Sequence, residues 1–381
     1  MSKKGDRILV GLSGNGASAV AALLMKSQGF DVVGVYCDTG GKPPEGWEPF
    51  DSRCLSQVSQ ERAERVAKSL GIPLEVVSVE EIFAHEVIDF TLHEYLKNRS
   101  PFPCVRCFSR VLLPTLLREK NRLECSRLIT GHHAQLVSDP EDGRIHVQRG
   151  VEQTYDQSFY LTWLKEDQLS QIALPTGGLT RAMMERLLEE AGLEGLELKQ
   201  STGPCRMSYD SEVEWVEKRS TPDLRMRGLM RATDGRLLGD HQGLYRYRIG
   251  QSNGVKLSVQ DPELSPPIVI GKDLRTQTLV IGTEKDLMQS HILVSNVNWI
   301  HPVDGLKGFS CSILFQPNAE PVEAYLLPFE NQTASVRFEE SQRAINPGDS
   351  LAILENGEMI GSAVVYEIID RDLDQRREVR L

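Results

Sequence analysis

Arg7-Ile8-Leu9-Val10-Gly11-Leu12-Ser13-Gly14-Asn15-Gly16-Ala17-Ser18 is an apolar β run that breaks into a glycine-rich turn. The residues beyond it, through Leu23 and Leu24, carry apolar side chains at helical spacing. A strand that hands over to a helix through Gly11, Gly14 and Gly16 offers backbone N–H groups and a helix amino end to whatever lies above it. Phosphate suits such a turn. No Gly-Lys-Ser/Thr follows, so it is not a Walker loop, and a tight packing turn would have the same composition. Asn15 is the non-glycine residue best able to accept a positive φ here.

Outward from this turn, β-branched runs at 7–12, 32–36 and 74–79 alternate with helical patterns, the clearest at 61–70, a rhythm that predicts a parallel sheet covered by helices. A later apolar segment, 127–130, ends at Gly131-His132-His133, which puts these residues at the carboxyl edge of a strand, where open α/β sheets bind ligands. From about 212 to 287 the chain becomes Gly- and Arg-rich with short strands. Runs at 292–299, 310–315, 334–338, 351–354 and 359–366, with turn signals at Asn346-Pro347-Gly348 and Asn356-Gly357, predict a small antiparallel barrel. The expected organisation is an α/β domain over 1–210, a small central domain over 211–287 and a C-terminal β-barrel over 288–381, with a mixed-charge tail at 371–381.

At 381 residues, 40% hydrophobic and 25% charged, the chain has the composition of a globular protein of two or three domains. Its apolar runs are too short for membrane insertion or a signal peptide, which predicts a cytoplasmic protein. The net charge of −11 disfavours DNA and unselective RNA binding, so RNA would have to meet a local basic face. Two windows could supply one: Arg106, Arg110, Arg118, Lys120, Arg122 and Arg127, and then Arg225, Arg227, Arg231, Arg236, Arg246 and Arg248. Solvated helix and strand faces would look the same.

Seven cysteines without even spacing argue against a secreted disulfide framework. Pro101-Phe102-Pro103-Cys104-Val105-Arg106-Cys107 sets two thiols one turn apart behind stiffening prolines. Ser201-Thr202-Gly203-Pro204-Cys205 offers a third on another small-residue turn, while Cys37, Cys54, Cys125 and Cys311 read as buried thiols. Without a second Cys-x-x-Cys a closed zinc site is disfavoured; a three-thiol site could instead hold an iron–sulfur cluster.

Together these motifs resemble the PP-loop tRNA-specific 2-thiouridylases along nearly the whole chain. The family's Ser-Gly-Gly-Val-Asp-Ser matches residues 13–18, its cysteine motif 101–107, its Thr-Gly-His Thr130-Gly131-His132, and its Lys-Asp-Gln-Ser Tyr155-Asp156-Gln157-Ser158. Its second cysteine matches Cys205, and the central-domain signature matches 238–243 and 247–251. The resemblance implies that Gly11, Leu12, Ser13, Gly14, Asn15, Gly16, Ala17 and Ser18, with Cys37 and Gly131, bind ATP with Mg²⁺. It implies adenylation of the C2 oxygen of the tRNA wobble uridine and its replacement by sulfur. Cys107 and Cys205 would be the catalytic pair, fed by a sulfur donor protein or sulfide, or Cys104, Cys107 and Cys205 would ligate a [4Fe-4S] cluster. Contacts to tRNA would come from Phe102, Pro103, Cys104, His132, Tyr155, Asp156, Gln157, Leu314, Phe315 and Asp349. The chain departs from the pattern where Ala17 replaces an aspartate, Tyr155 a lysine, Leu314-Phe315 an Arg-Tyr pair and Asp349 a glutamine. A related enzyme with another acceptor, or a binding protein without ATP chemistry, would share the same scaffold.

Overall fold

A computed structural model of the chain describes residues 5–40, 57–140, 143–196, 198, 209–221, 225–259, 261–303 and 306–369. Five strands form a parallel sheet: β1 (Arg7–Gly11), β2 (Asp31–Asp38), β3 (Leu74–Ser78), β4 (Leu128–Ile129) and β7 (Ile172–Ala173), in the order β3-β2-β1-β4-β7. The crossover helices α1 (Gly16–Ser27) and α2 (Gln57–Leu70) carry the chain from β1 to β2 and then β3, after which it returns to the other side of β1. Strand order therefore reverses between β1 and β4, leaving a crevice above their carboxyl ends. Ile8 and Val10 pack on one side of β1 with Ala19, Ala22 and Val66, whereas Leu9 faces a second cluster with Val33, Leu116 and Leu128. Both faces are buried, hence the unbroken apolar run of β1 in place of an alternating one.

Among the described residues the central unit has a four-stranded sheet in the order β10-β11-β8-β9, built from β8 (Gly228–Ala232), β9 (Leu237–His241), β10 (Ile268–Asp273) and β11 (Thr278–Gly282). Six antiparallel strands then make the barrel: β12 (Met288–Trp299), β13 (Phe309–Leu314), β14 (Val322–Phe329), β15 (Thr333–Arg343), β16 (Ser350–Glu355) and β17 (Glu358–Ile368). Pairing of β12 with β17 closes it.

Two features lie outside the expected pattern. A hairpin of β5 (Ala134–Ser138) and β6 (Ile145–Arg149) leaves the parallel-sheet unit and joins the barrel sheet, with Val147 opposite Met359. The wall made by β13 and β16 is buried on both sides: Ile313, Leu351 and Ile353 fill the barrel, while Leu314, Ala352 and Leu354 enter the core that holds Leu9 and Phe159. Each such fully buried aliphatic side chain contributes about 1.5–3 kcal/mol relative to exposure, which fixes the barrel against the sheet unit. Among the described residues no helix is long and apolar enough to cross a membrane.

Candidate functional site

The glycine-rich turn lies at the sheet's switch point. Leu12 N–H donates to Val35 O (2.9 Å), Ser13 is exposed, and Gly14 takes the left-handed φ of +77°. A Cβ on Gly14 would stand 2.1 Å from Ser59 O at the start of α2. Asn15 is extended (φ −102°, ψ 159°), so the positive φ expected there belongs to Gly14. Asn15 precedes α1 in the N-cap position without capping it, and its Oδ1 is buried with no hydrogen-bond partner. Ser18 shapes the turn: its hydroxyl donates to Asn15 O (2.9 Å) and accepts from Ser13 N–H (3.2 Å). From the β4 side Gly131 closes in, where a Cβ would lie 2.5 Å from Ser18 N and 2.6 Å from the Ala17 carbonyl carbon. The first-turn amides of a helix lack intrahelical acceptors, so this turn suits an anion, whereas the unused Asn15 Oδ1 is an acceptor and would meet a donor or a cation. Cys37, near the end of β2, has its thiol pushed up to about 12, first by burial and then by Glu119, so it stays neutral at pH 7.

The thiol-bearing loop is assembled differently. Pro101, Phe102 and Pro103 are buried, with the Phe102 ring 5.3 Å from Phe159 and 6.0 Å from Tyr160. Cys104 lies in the short helix Pro103–Arg106, and Cys107 begins a π-helical turn, Cys107–Leu112, both thiols half-buried. Turns of this kind recur at functional sites because the inserted residue re-aims its neighbours. Arg106 locks the segment: its Nε donates to Glu86 O (2.6 Å), its Nη2 to Glu86 Oε2 (2.7 Å), and its guanidinium stacks over Phe90 at 4.1 Å. Cys107 and Cys37 both pack on a cluster that includes Trp215 and Val216 of the helix Tyr209–Arg219.

His132 joins the two regions. It follows Gly131 directly, its Nδ1 lies 2.9 Å from Thr130 Oγ1, and its ring is 4.3 Å from that of Phe108, the residue after Cys107. Loss of hydration pushes its pKa down to about 4, so the imidazole is neutral at pH 7. His133 faces inward and exchanges two bonds with Gln157: its N–H donates to Gln157 Oε1 (3.0 Å), and Gln157 N–H donates to its carbonyl (2.9 Å).

Several residues expected to face RNA are buried. Tyr155 is 4% exposed, with its hydroxyl bonded by Arg181. Asp156 is 0% exposed and accepts from Gly150 N–H (2.8 Å), Ser158 Oγ (2.7 Å), Ser158 N–H (3.3 Å) and Arg149 Nε (3.3 Å). Both brace the loop that holds Gln157 and His133; their surroundings leave no face for a nucleotide. Leu314 is fully buried in the core shared by the barrel and the sheet, because the β13 wall is packed on both sides. Phe315 is half-buried, 5.8 Å from Phe338, and Asp349 accepts from Asn346 N–H (2.8 Å), which closes a turn. Phe315 and Asp349 nevertheless line one cavity of about 300 Å³ together with Phe102 and Arg248. The arginine windows are largely engaged within the protein: Arg106 by Glu86, Arg122 by Glu75 and Glu119, Arg236 by Asp234 and Asp261, Arg246 by Glu217.

Cys205 and Cys54 lie outside the described residues. Among the described residues no three His, Cys, Asp or Glu side chains gather as a metal site; of the three thiols expected to hold a cluster, Cys104 and Cys107 are described and Cys205 is not. Neither Phe108 nor the Arg106–Glu86 lock is visible in the sequence patterns. Arg106 is legible there only as one charge in a basic window, since its partner lies 20 residues away.

Comparison with known proteins fits this geometry. Residues 6–208 match the family described as "tRNA methyl transferase HUP domain", 219–283 the "tRNA methyl transferase PRC-barrel domain" and 289–365 the "Aminomethyltransferase beta-barrel domain". The tRNA-specific 2-thiouridylase MnmA of Levilactobacillus brevis is 32% identical, the match covering 98% of this chain and 98% of that protein. The enzyme of the same name from Geobacter metallireducens is 33% identical over 94% of this chain and 96% of its own length. That of Aquifex aeolicus is 31% identical over 95% and 99%. With a nucleotide-type turn at the switch point, a Cys-x-x-Cys joined to it through His132, and full-length relatives of one kind, the chain belongs to the tRNA-specific 2-thiouridylase family.

Proposed function

We propose that this chain is a tRNA-uridine 2-sulfurtransferase that uses ATP to activate the C2 oxygen of the wobble uridine. The observation that carries the reading is the contact of His132 with Phe108, which brings the phosphate-type turn and the Cys107 segment to one edge of the sheet. ATP sits with its phosphates over Gly14, Asn15 and the α1 amides, with Cys37 and Gly131 as walls. The uridine O2 attacks the α-phosphate, pyrophosphate leaves, and C2 becomes electrophilic.

Cys205 receives a sulfane sulfur from a donor protein as a persulfide. The Cys107 thiolate attacks the inner sulfur, a Cys107–Cys205 disulfide forms, and hydrosulfide leaves. That hydrosulfide adds to C2 and AMP departs with the O2 oxygen; a thiol reductant then restores the pair. In sequence three residues separate Cys205 from the helix Tyr209–Arg219, whose Trp215 packs on the cluster that Cys107 touches. Neutral His132, beside both reagents, is placed to donate a hydrogen bond and not to repel or attract as an ion. Ser13 and Ser18 bring hydroxyls and Ala17 no carboxylate, so Mg²⁺ would arrive with the triphosphate. The iron–sulfur alternative keeps Cys104 and Cys107 as two of its three thiolates; iron and sulfide analysis of anaerobically purified protein separates it from the persulfide route. The division at 1–210, 211–287 and 288–381 is part of this proposal, the central and barrel units holding the RNA.

The test supplies purified protein with tRNA, ATP and a persulfide donor, and follows AMP release and 2-thiouridine. Both products are expected, with Cys107→Ser reduced to background for thiouridine. Absence of AMP above the tRNA-free control would sink the reading. The burial of Tyr155, Asp156 and Leu314 favours a second reading in which another RNA is the acceptor. Nucleoside mass spectrometry distinguishes it by a thiolated product other than wobble thiouridine.

A further inference from the structure

The segment that carries Cys104 and Cys107 is held by the barrel. Ser100 N–H donates to Pro347 O (2.7 Å), and Arg99 Nη2 donates to Val365 O (3.1 Å), contacts that cross about two-thirds of the chain. Pro347 belongs to the turn Asn346-Pro347-Gly348-Asp349, itself tied to β17 by Gly348 N–H to Val365 O and Val365 N–H to Asp349 O, both 2.8 Å. The fit is close. Gly348 takes φ +95°, and a Cβ there would stand 2.6 Å from Ser100 N and 2.9 Å from Arg99 Cβ.

The same turn reaches the central unit. Asn346 Oδ1 accepts from Ile249 N–H (3.1 Å), while its own Nδ2 donates to Ala344 O (2.8 Å). Gly250, at φ +89°, leaves room for Ala344, whose Cβ a glycine substituent would meet at 2.9 Å. Four residues thus place all three units against one another. The 300 Å³ cavity opens at this junction, lined by Ser100, Phe102, Arg248, Phe315, Asn346 and Asp349.

From Ser100 onward there is little slack. Pro101 and Pro103 fix their φ angles, Phe102 is wedged between Phe159 and Tyr160, and Cys104 follows at once. A shift of the turn is transmitted along this stiff run to the two thiols, because packed cores pass on displacement and do not absorb it.

We propose that the turn Asn346-Pro347-Gly348-Asp349 is a positioning clamp for the sulfur-handling segment, which sets the placement of Cys104 and Cys107. Ser100 is its contact point, Gly348 its close approach and Asn346 its link to the central unit. None of these residues touches the reacting atoms. The effect on thiolation rests on the sulfurtransferase reading; the placement of the two thiols does not.

The test pulses the reduced full-length protein with N-ethylmaleimide and reads each cysteine by peptide mass spectrometry. Gly348→Ala and Asn346→Ala are expected to change the labelling rates of Cys104 and Cys107 by about two- to thirty-fold, the range found for mutations along coupled networks, with Cys125 and Cys311 unchanged. If the Gly348→Ala clash speeds all four alike, Asn346→Ala decides, since it removes a bond and adds no bulk. Unaltered Cys104 and Cys107 rates in Asn346→Ala overturn the clamp. In turnover assays the clamp variants are expected to lower kcat for thiolation while KM for tRNA holds. A rise in KM alone would make the turn an RNA contact and overturn the positioning role. Labelling needs no turnover, so the clamp can be upheld or overturned even in a chain that proves not to thiolate tRNA.

Discussion

The two halves of the site are built on opposite plans. The turn from Gly11 to Ser18 is shaped by its immediate neighbours: Ser18 bonds Asn15 and Ser13, Gly14 abuts Ser59, and Gly131 closes in from the adjacent strand. The segment from Arg99 to Cys107 hangs on distant elements, Glu86 on one side and Pro347 and Val365 on the other. The first half is therefore shaped locally, by one sheet and the helices that follow its strands. The second is a property of the assembled molecule, so thiol placement can respond to events that leave the nucleotide turn unchanged.

Gly131→Ala should break the nucleotide half alone. Its Cβ would sit 2.5 Å from backbone atoms of α1 that have no rotamer to swing away. We expect a loss of about 3 kcal/mol in urea denaturation, the upper end of overpacking costs, and loss of ATP binding by calorimetry. Labelling of Cys104 should stay at its original rate. Arg106→Ala should break the other half, removing two bonds to Glu86 and the stack on Phe90. About 2 kcal/mol is expected, because the charge-assisted bonds are partly open to water, with faster maleimide labelling of Cys107 and unchanged ATP affinity. Weakened ATP binding in Arg106→Ala would show that the halves are not independent.

The smallest effect probes the join. The folded-state pKa of His132, about 4, lies below the ordinary value of 6.5. The unfolded chain therefore takes up the proton first on acidification. The stability tied to the neutral ring is complete above pH 6.5 and drains away as pH falls from 6.5 towards 4. At pH 5.5 the loss should be about 1 kcal/mol, since the ring is partly solvated. Urea midpoints of His132→Gln should fall less between pH 7.5 and 5.5 than those of the unaltered protein; parallel curves would show that His132 has no part in the acid sensitivity.

What is legible before folding follows the same division. The β1 run, the glycines after it and the switch-point strand ending at Gly131 are local patterns, and they stand where the sequence places them. The positive φ expected at Asn15 falls on Gly14, because left-handed propensity is shared among neighbours and the glycine accepts the strained angle at lower cost. The strand Val322–Phe329 is hidden by Pro328 and by apolar residues on both faces, with Tyr325, Leu327 and Phe329 exposed. The hairpin at Ala134–Ser138 and Ile145–Arg149 has an Asp-Pro…Gly turn signal, but nothing local says that its partner is a strand 212 residues further on. Tyr155, Asp156 and Leu314 show the limit of motif matching. A matched position conveys residue type, whereas exposure depends on what packs over it, and at Leu314 that is the other face of a barrel wall.

That doubly packed wall has a practical consequence for dissecting the molecule. A fragment ending before Met288 would strip the cover from Phe159, Leu161 and Leu164 and leave the Ile145–Arg149 edge without Met359. Bare apolar surface next to an open strand edge favours self-association, so such a fragment should be recovered as aggregate and not as a working nucleotide-binding domain. The barrel is less an appended module than the missing side of the domain in front of it.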